Sequence, residues 1–138
     1  MKLAVLDTNV LIAAGVNPHG PPARLVHDWV LRGQIGAITC PWIVEEYRTV
    51  ARRRKFAAYG FPPPWLEPLI AESLYLPDPE PWPYSIPDPK DAPFLALARA
   101  AGAWLVTGNL KHFPQRSRRG VTVLSPADYL AHLLAGNT

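Results

Sequence analysis

A parallel α/β sheet with helices on both faces is the architecture this sequence predicts. Three observations predict it. Short, mainly apolar runs recur at Leu3–Leu6, Ile35–Thr39, Ala103–Thr107 and Val121–Leu124. Segments with helical apolar spacing stand between most of them, and strands alternating with helices build parallel sheets whose strands are buried on both sides. The chain has 138 residues, 49% of them hydrophobic, which suits one domain with a core of its own.

The elements follow in order. Leu3–Leu6 is a strand ended by Asp7. Val10–Ala14 begins a short helix, and 17–22 (NPHGPP) is a loop. Leu25, Val26, Trp29 and Val30 repeat at helical spacing, with Gly33 as the C-terminal stop. Ile35–Thr39 is the second strand. Pro41 opens a helix with Ile43, Val44, Tyr47 and Val50 on one face. Leu66–Leu74 is a helix that tolerates Pro68 only in its first turn. Phe94–Ala101 is a helix closed by Gly102. Ala103–Thr107 and Val121–Leu124 are strands, and Ser125-Pro-Ala-Asp128 starts the last helix with an arrangement like a capping box.

Proline is the unusual residue, at 17 positions. Most fall in 61–68 (FPPPWLEP) and 76–93 (LPDPEPWPYSIPDPKDAP). Neither stretch can be an inner strand or a mid-helix. Segment 76–93 reads as a stiff connection across the surface, with a partner-binding proline segment as the alternative. One cysteine, Cys40, excludes an internal disulfide and a cysteine-rich zinc site. No apolar run is long enough to cross a bilayer, and the first residues lack a signal-peptide pattern, so a cytoplasmic protein is expected. The net charge of +3 and a pI near 9.2 hint only mildly at nucleic acid.

The polar residues collect where chemistry is expected. In open parallel sheets, ligands bind beyond the carboxyl ends of the strands. Asp7-Thr8-Asn9 follows the first strand, Thr39-Cys40 ends the second, and Thr107-Gly108-Asn109 ends the third. A buried carboxylate needs a partner. Asp7 could serve simply as a helix N-cap. On the helix from Pro41, the 100° rotation per residue turns Glu45 to solvent and leaves Glu46 on the border of the core face. There Glu46 can reach a strand end, or pair with a cation such as Arg53 at the surface. Asp91 is a natural N-cap for the next helix, and Asp88 could cap instead with Pro89 at the first position.

Asp7, Glu46 and Asp91 thus converge, with Asn9, Thr107 and Asn109 as neutral oxygen donors. Crowded carboxylates repel unless a cation joins them. Hard oxygen ligands suit Mg²⁺ or Mn²⁺, ions that clamp phosphate and activate water. Two basic stretches flank these residues. One is 52–55, with Arg52 and Arg53. The other is 111–119, with Lys111, Arg116 and Arg118. Both are candidates to contact RNA phosphates, though the first could only be complementing a helix dipole. Trp65, Trp82 and Tyr84 could stack on bases or pack under the proline-rich loops. The four histidines show no metal spacing, and Cys40 reads as a small buried side chain.

VLDTNVLIAA, CPWIVEEY with RRRKF, DPKDAPFLALARAAGAWLVTGN with LKHF, and VTVLSPADYL together resemble the PIN-domain family. The likeness is greatest to the VapC-type toxins of bacterial toxin–antitoxin pairs. It runs in order from Leu3 to Leu130. It implies a single domain over 1–138 with a three-layer α/β/α sandwich, and an Mg²⁺- or Mn²⁺-dependent ribonuclease. Asp7, Glu46 and Asp91 match the family's acidic positions, while Asn9 and Thr107 match supporting ones; Asp88 could also contribute. RNA as substrate, an antitoxin protein and a homodimer are the implied partners. One position departs from the pattern: many members have Asp where this chain has Asn109, which removes a charge from the site. A non-catalytic module binding RNA or protein is therefore the competing expectation. An aspartyl-phosphate phosphatase would want an acid where Asn9 stands, and no G-x-G-x-x-G for a dinucleotide is present.

Overall fold

The computed structural model describes residues 2–136. Five parallel strands form one sheet in the order β3-β2-β1-β4-β5, with helices flanking it. The strands are β1 (Lys2–Leu6), β2 (Ile35–Thr39), β3 (Leu74–Tyr75), β4 (Trp104–Val106) and β5 (Val123–Leu124). The helices are α1 (Thr8–Val16), α2 (Pro21–Arg24), α3 (Pro41–Ala51), α4 (Leu66–Glu72), α5 (Ala92–Ala101) and α6 (Pro126–Leu134). Ala4, Val5 and Leu6 at the sheet centre have no exposed surface, which is why β1 carries no polar residue between Lys2 at its start and Asp7.

Several elements differ from the sequence reading, each for a local reason. α1 begins at Thr8 rather than Val10. After α2 the chain widens into a π-helical stretch, Leu25–Val30, before stopping at Gly33 with φ +74°. α4 ends at Glu72, and Leu74, expected to close that helix, instead begins β3. β3 pairs Leu74 with Ile38 and Tyr75 with Thr39, so backbone bonding alone makes it a strand, while both its side chains are exposed. β4 and β5 are shorter than their apolar runs.

α3 meets the expectation most fully. Ile43, Val44, Tyr47 and Val50 are all buried, and Glu45 is exposed. Trp42 packs edge-on against Phe94, joining α3 to α5 with ring centroids 6.0 Å apart. At α6 the Ser125 hydroxyl accepts the Asp128 N–H at 3.1 Å. Ser125→Ala is expected to lower stability by about 1 kcal/mol, read as a lower urea midpoint with an unchanged slope.

Segment 76–93 crosses the surface without a strand or α-helix until the short 3₁₀ turn at Pro89–Asp91. Two aromatic rings fasten it. Trp82 and Tyr84 pack on each other at 5.4 Å. The Arg99 guanidinium from α5 lies over both rings, and Arg119 lies 4.1 Å from the centre of Tyr84. This fastening delivers Asp88 and Asp91 to the end of the sheet. Trp65 packs against His27. All three aromatics considered for base stacking are thus engaged in internal packing.

Candidate active site

The sheet reverses its winding at β1: β2 lies on one side and β4 on the other. The carboxyl ends of β1 and β4 therefore border a crevice. Their register pairs Leu6 with Val106, which sets Asp7 and Thr107 side by side one step further on. The Thr107 hydroxyl donates to Asp7 Oδ2 at 2.8 Å, and Asn9 Nδ2 donates to the same oxygen at 3.2 Å. Gly108 N–H donates to Asn9 Oδ1 at 2.8 Å, and Asn109 N–H to Thr107 Oγ1 at 3.0 Å. The two polar strand ends are laced into one unit. A Cβ on Gly108 would come within 3.2 Å of Asn9 Oδ1, so the close approach favours glycine there.

Tyr47 positions the next acid. It is buried, and its hydroxyl donates to the Leu6 carbonyl, fixing α3 one residue before Asp7. Glu46, its neighbour in sequence, is half-buried and accepts the Thr8 hydroxyl at 3.1 Å. Among the described residues Glu46 forms no ion pair, with Arg53 or any other cation.

Asp91 does not cap α5 with its side chain. Asp88 caps instead, accepting the Lys90 N–H at 3.0 Å. Pro89 opens a 3₁₀ turn ahead of α5, so Asp91 already has near-helical backbone angles and its carboxylate is spared for other contacts. Asp91 Oδ2 lies 2.7 Å from His112 Nδ1. The spacing of the histidines gave no sign of this contact, which the fold creates: ligand atoms of Asp88, Asp91 and His112 all lie within 4.8 Å of one another. The signal available was its place three residues after Asn109, on the turn that leaves β4.

Asp7, Asn9, Glu46, Arg53, Asp91 and Asn109 line one concavity of about 440 Å³, and His112 lines it with them. Thr107 is wholly buried and touches the concavity only indirectly, through its bonds with Asp7, Asn9 and Asn109. Asp88 is outside the lining, as are Arg52, Lys111, Arg116 and Arg118. Arg118 is committed elsewhere: it donates to the Phe113 carbonyl at 2.8 Å and to Gln115 Oε1 at 3.0 Å, bracing its own loop.

The charges here are strained. Asp7 is 6% exposed. Its pKa is pushed from 3.8 up to about 6, by burial first and then by Asp91 and Glu46, against the Thr107 hydrogen bond. Asp91 is also raised, by burial first and by Asp88 and Glu46, while His112 opposes. Clustered carboxylates that raise one another's pKa fit a divalent cation, which would favour their ionised forms. All are hard oxygen donors, as Mg²⁺ and Mn²⁺ require.

Two solved structures share the fold. A chain of FitAB bound to an IR36 DNA fragment is 20% identical, with a TM-score of 0.57; the match covers 89% of this chain and 94% of that one. A chain of VapBC2 from Rickettsia felis, bound to a DNA fragment from their promoter, is 14% identical, with a TM-score of 0.59; the match covers 89% and 98%. No curated protein matches. The model of the PIN domain matches residues 3–111, a span that includes β1, the Glu46 helix, Asp91 and the end of β4: the chain belongs to the PIN-domain family.

Proposed function

We propose that this chain is a divalent-metal-dependent endoribonuclease acting in the cytoplasm as the toxin of a toxin–antitoxin pair. The observation that carries the reading is the convergence of Asp7, Glu46 and Asp91 on one concavity at the winding reversal of a PIN-domain sheet. Those three carboxylates would hold Mg²⁺ or Mn²⁺, with the Asn109 side chain as a neutral donor. When bound, the cation supplies Lewis acidity toward a phosphodiester and its attacking water. Asn9 and Thr107 hold the Asp7 carboxylate in one orientation. A carboxylate of the set accepts the water's proton. Arg53, at the edge of the same concavity, meets an RNA phosphate. Arg52, Lys111 and Arg116 are exposed and extend a basic track; Arg118, with its guanidinium committed, shapes the loop that carries it.

The single domain of 1–138 pairs with a second copy and with an antitoxin protein in this reading. Its support is the likeness in fold to chains of FitAB and VapBC2, whose structures hold DNA. No helix among the described residues is long and apolar enough to cross a membrane.

Incubation with single-stranded RNA and Mn²⁺ tests the chemistry. In-line attack by water leaves a 5′ phosphate downstream and a free 3′ hydroxyl upstream, and EDTA stops it. A 2′,3′-cyclic phosphate, or indifference to EDTA, sinks the reading. RNA bound but never cut by the Mn²⁺-loaded protein would instead select the non-catalytic module, which Asn109 favours by withholding a charge.

A further inference from the structure

We infer that His112 supplies a nitrogen ligand beside Asp91 and makes the site favour Mn²⁺, and first-row transition ions generally, over Mg²⁺. The inference rests on the metal-nuclease reading and adds to it a ligand and a metal preference.

The geometry carries it. His112 Nδ1 and Asp91 Oδ2 are 2.7 Å apart, and both residues line the concavity that Asp7 and Glu46 share. Neighbouring ligands on an octahedral ion with bonds of about 2.1 Å lie about 3 Å apart. The pair therefore needs only a small adjustment to bind one ion edge-on. With a proton on Nδ1 the contact is a hydrogen bond; with Nδ1 unprotonated the two atoms are adjacent donors. Asp88 stands close enough to bring a further carboxylate, within 4.8 Å of both.

The backbone that carries the ring is also held in place before any ion arrives. His112 closes the 3₁₀ turn Leu110–His112, with its N–H donating to the Asn109 carbonyl at 3.1 Å. Phe113, the next residue, is wholly buried and anchors that turn in the core. His112 itself keeps 43% of its side chain exposed, so one part of the ring remains accessible from the concavity. A side chain on a fixed backbone, with its ring already against Asp91, loses less entropy on ligation than a free one.

Asn109 sharpens the chemical consequence. An all-carboxylate site discriminates less between Mg²⁺ and a transition ion than one with a nitrogen ligand. Replacing one acid by an amide and adding an imidazole changes that balance. Mg²⁺ holds to oxygen ligands and parts reluctantly with its waters, whereas imidazole nitrogen raises affinity for first-row transition ions.

Pulsed electron paramagnetic resonance on the full chain loaded with Mn²⁺ tests the ligand directly. Nitrogen-14 modulation from a bound imidazole is expected in the wild type and should be lost in His112→Gln. In calorimetric competition, the excess of Mg²⁺ needed to displace Mn²⁺ should fall about tenfold or more in that variant, with Mg²⁺ binding itself little changed. Circular dichroism checks that His112→Gln is folded, and the wild-type signal stands without the variant. Bound Mn²⁺ with no nitrogen modulation, modulation that persists in His112→Gln, or an unchanged Mg²⁺-to-Mn²⁺ ratio would each overturn the inference while leaving the nuclease reading in place. A wild type that binds no Mn²⁺ at all would overturn both.

Discussion

Glu46→Gln is expected to cut RNA cleavage by about a hundredfold or more, while Glu45→Gln leaves it within about twofold. The two residues are adjacent and chemically identical, so the contrast isolates geometry. Tyr47 is locked to the Leu6 carbonyl, which fixes the rotation of α3 about its axis. Given that rotation, Glu46 faces the concavity with the Thr8 hydroxyl on its carboxylate. Glu45 is turned to solvent, where among the described residues only Thr49 donates to it, at 3.5 Å. Glutamine keeps the size of Glu46 and its ability to accept from Thr8 but contributes no charge to a cation. A dead Glu45→Gln with an active Glu46→Gln would mean that the exposed glutamate is the functional one. Initial rates at saturating Mn²⁺, with metal affinity measured on the same samples, separate lost binding from lost turnover.

That contrast also shows which features the sequence displays and which it conceals. The buried face of α3 is periodic, so the side on which Glu46 falls follows from counting residues. β1 and β2 are buried on both sides and stand out as apolar runs. β3 could not be read in the same way. Its two residues are exposed, and it is a strand only because β2 offers its backbone. The short Pro89–Asp91 turn is likewise a backbone event, and it decides that Asp88 rather than Asp91 caps. His112 is concealed for a third reason. It lies 21 residues from Asp91, on a turn with no periodicity, and only the parallel pairing of β1 with β4 brings that turn to the acids. Local pattern therefore marks side chains on regular elements or directly beside their ends, as with Asp7, Asp91 and Asn109, and it misses one such as His112 that sits further along a connection.

Asp7→Asn is expected to make the metal-free protein more stable at neutral pH, although it removes a central residue of the site. The Asp7 carboxyl sits at about 6 in the folded chain against 3.8 as its ordinary value. The folded state therefore holds this proton more tightly than the unfolded state does. For an acid raised by folding, stability falls as pH rises through the window between the two values, and it stays low above them. The displacement corresponds to about 3 kcal/mol of destabilisation at pH 7. Asparagine carries no charge to bury. It can still accept the Thr107 hydroxyl through its carbonyl, while the bond from Asn9 Nδ2 has to be shared or lost. Urea unfolding in EDTA at pH 4 and pH 7.5 measures the difference. The two proteins should be nearly equal at the lower pH, and the variant should be more stable at the higher one. Asp91 is raised in the same direction, but it is present in both proteins and largely cancels in the comparison. Mn²⁺ should reverse the order. A cation bound by wild type at about a thousand times its dissociation constant adds about 4.1 kcal/mol, more than the deficit it has to offset, and Asp7→Asn should gain little. A variant that is markedly less stable than wild type at pH 7.5 in EDTA would show that the bonds from Thr107 and Asn9 outweigh the burial of charge. Asp7 would then be a structural hydrogen-bond centre before it is a metal ligand.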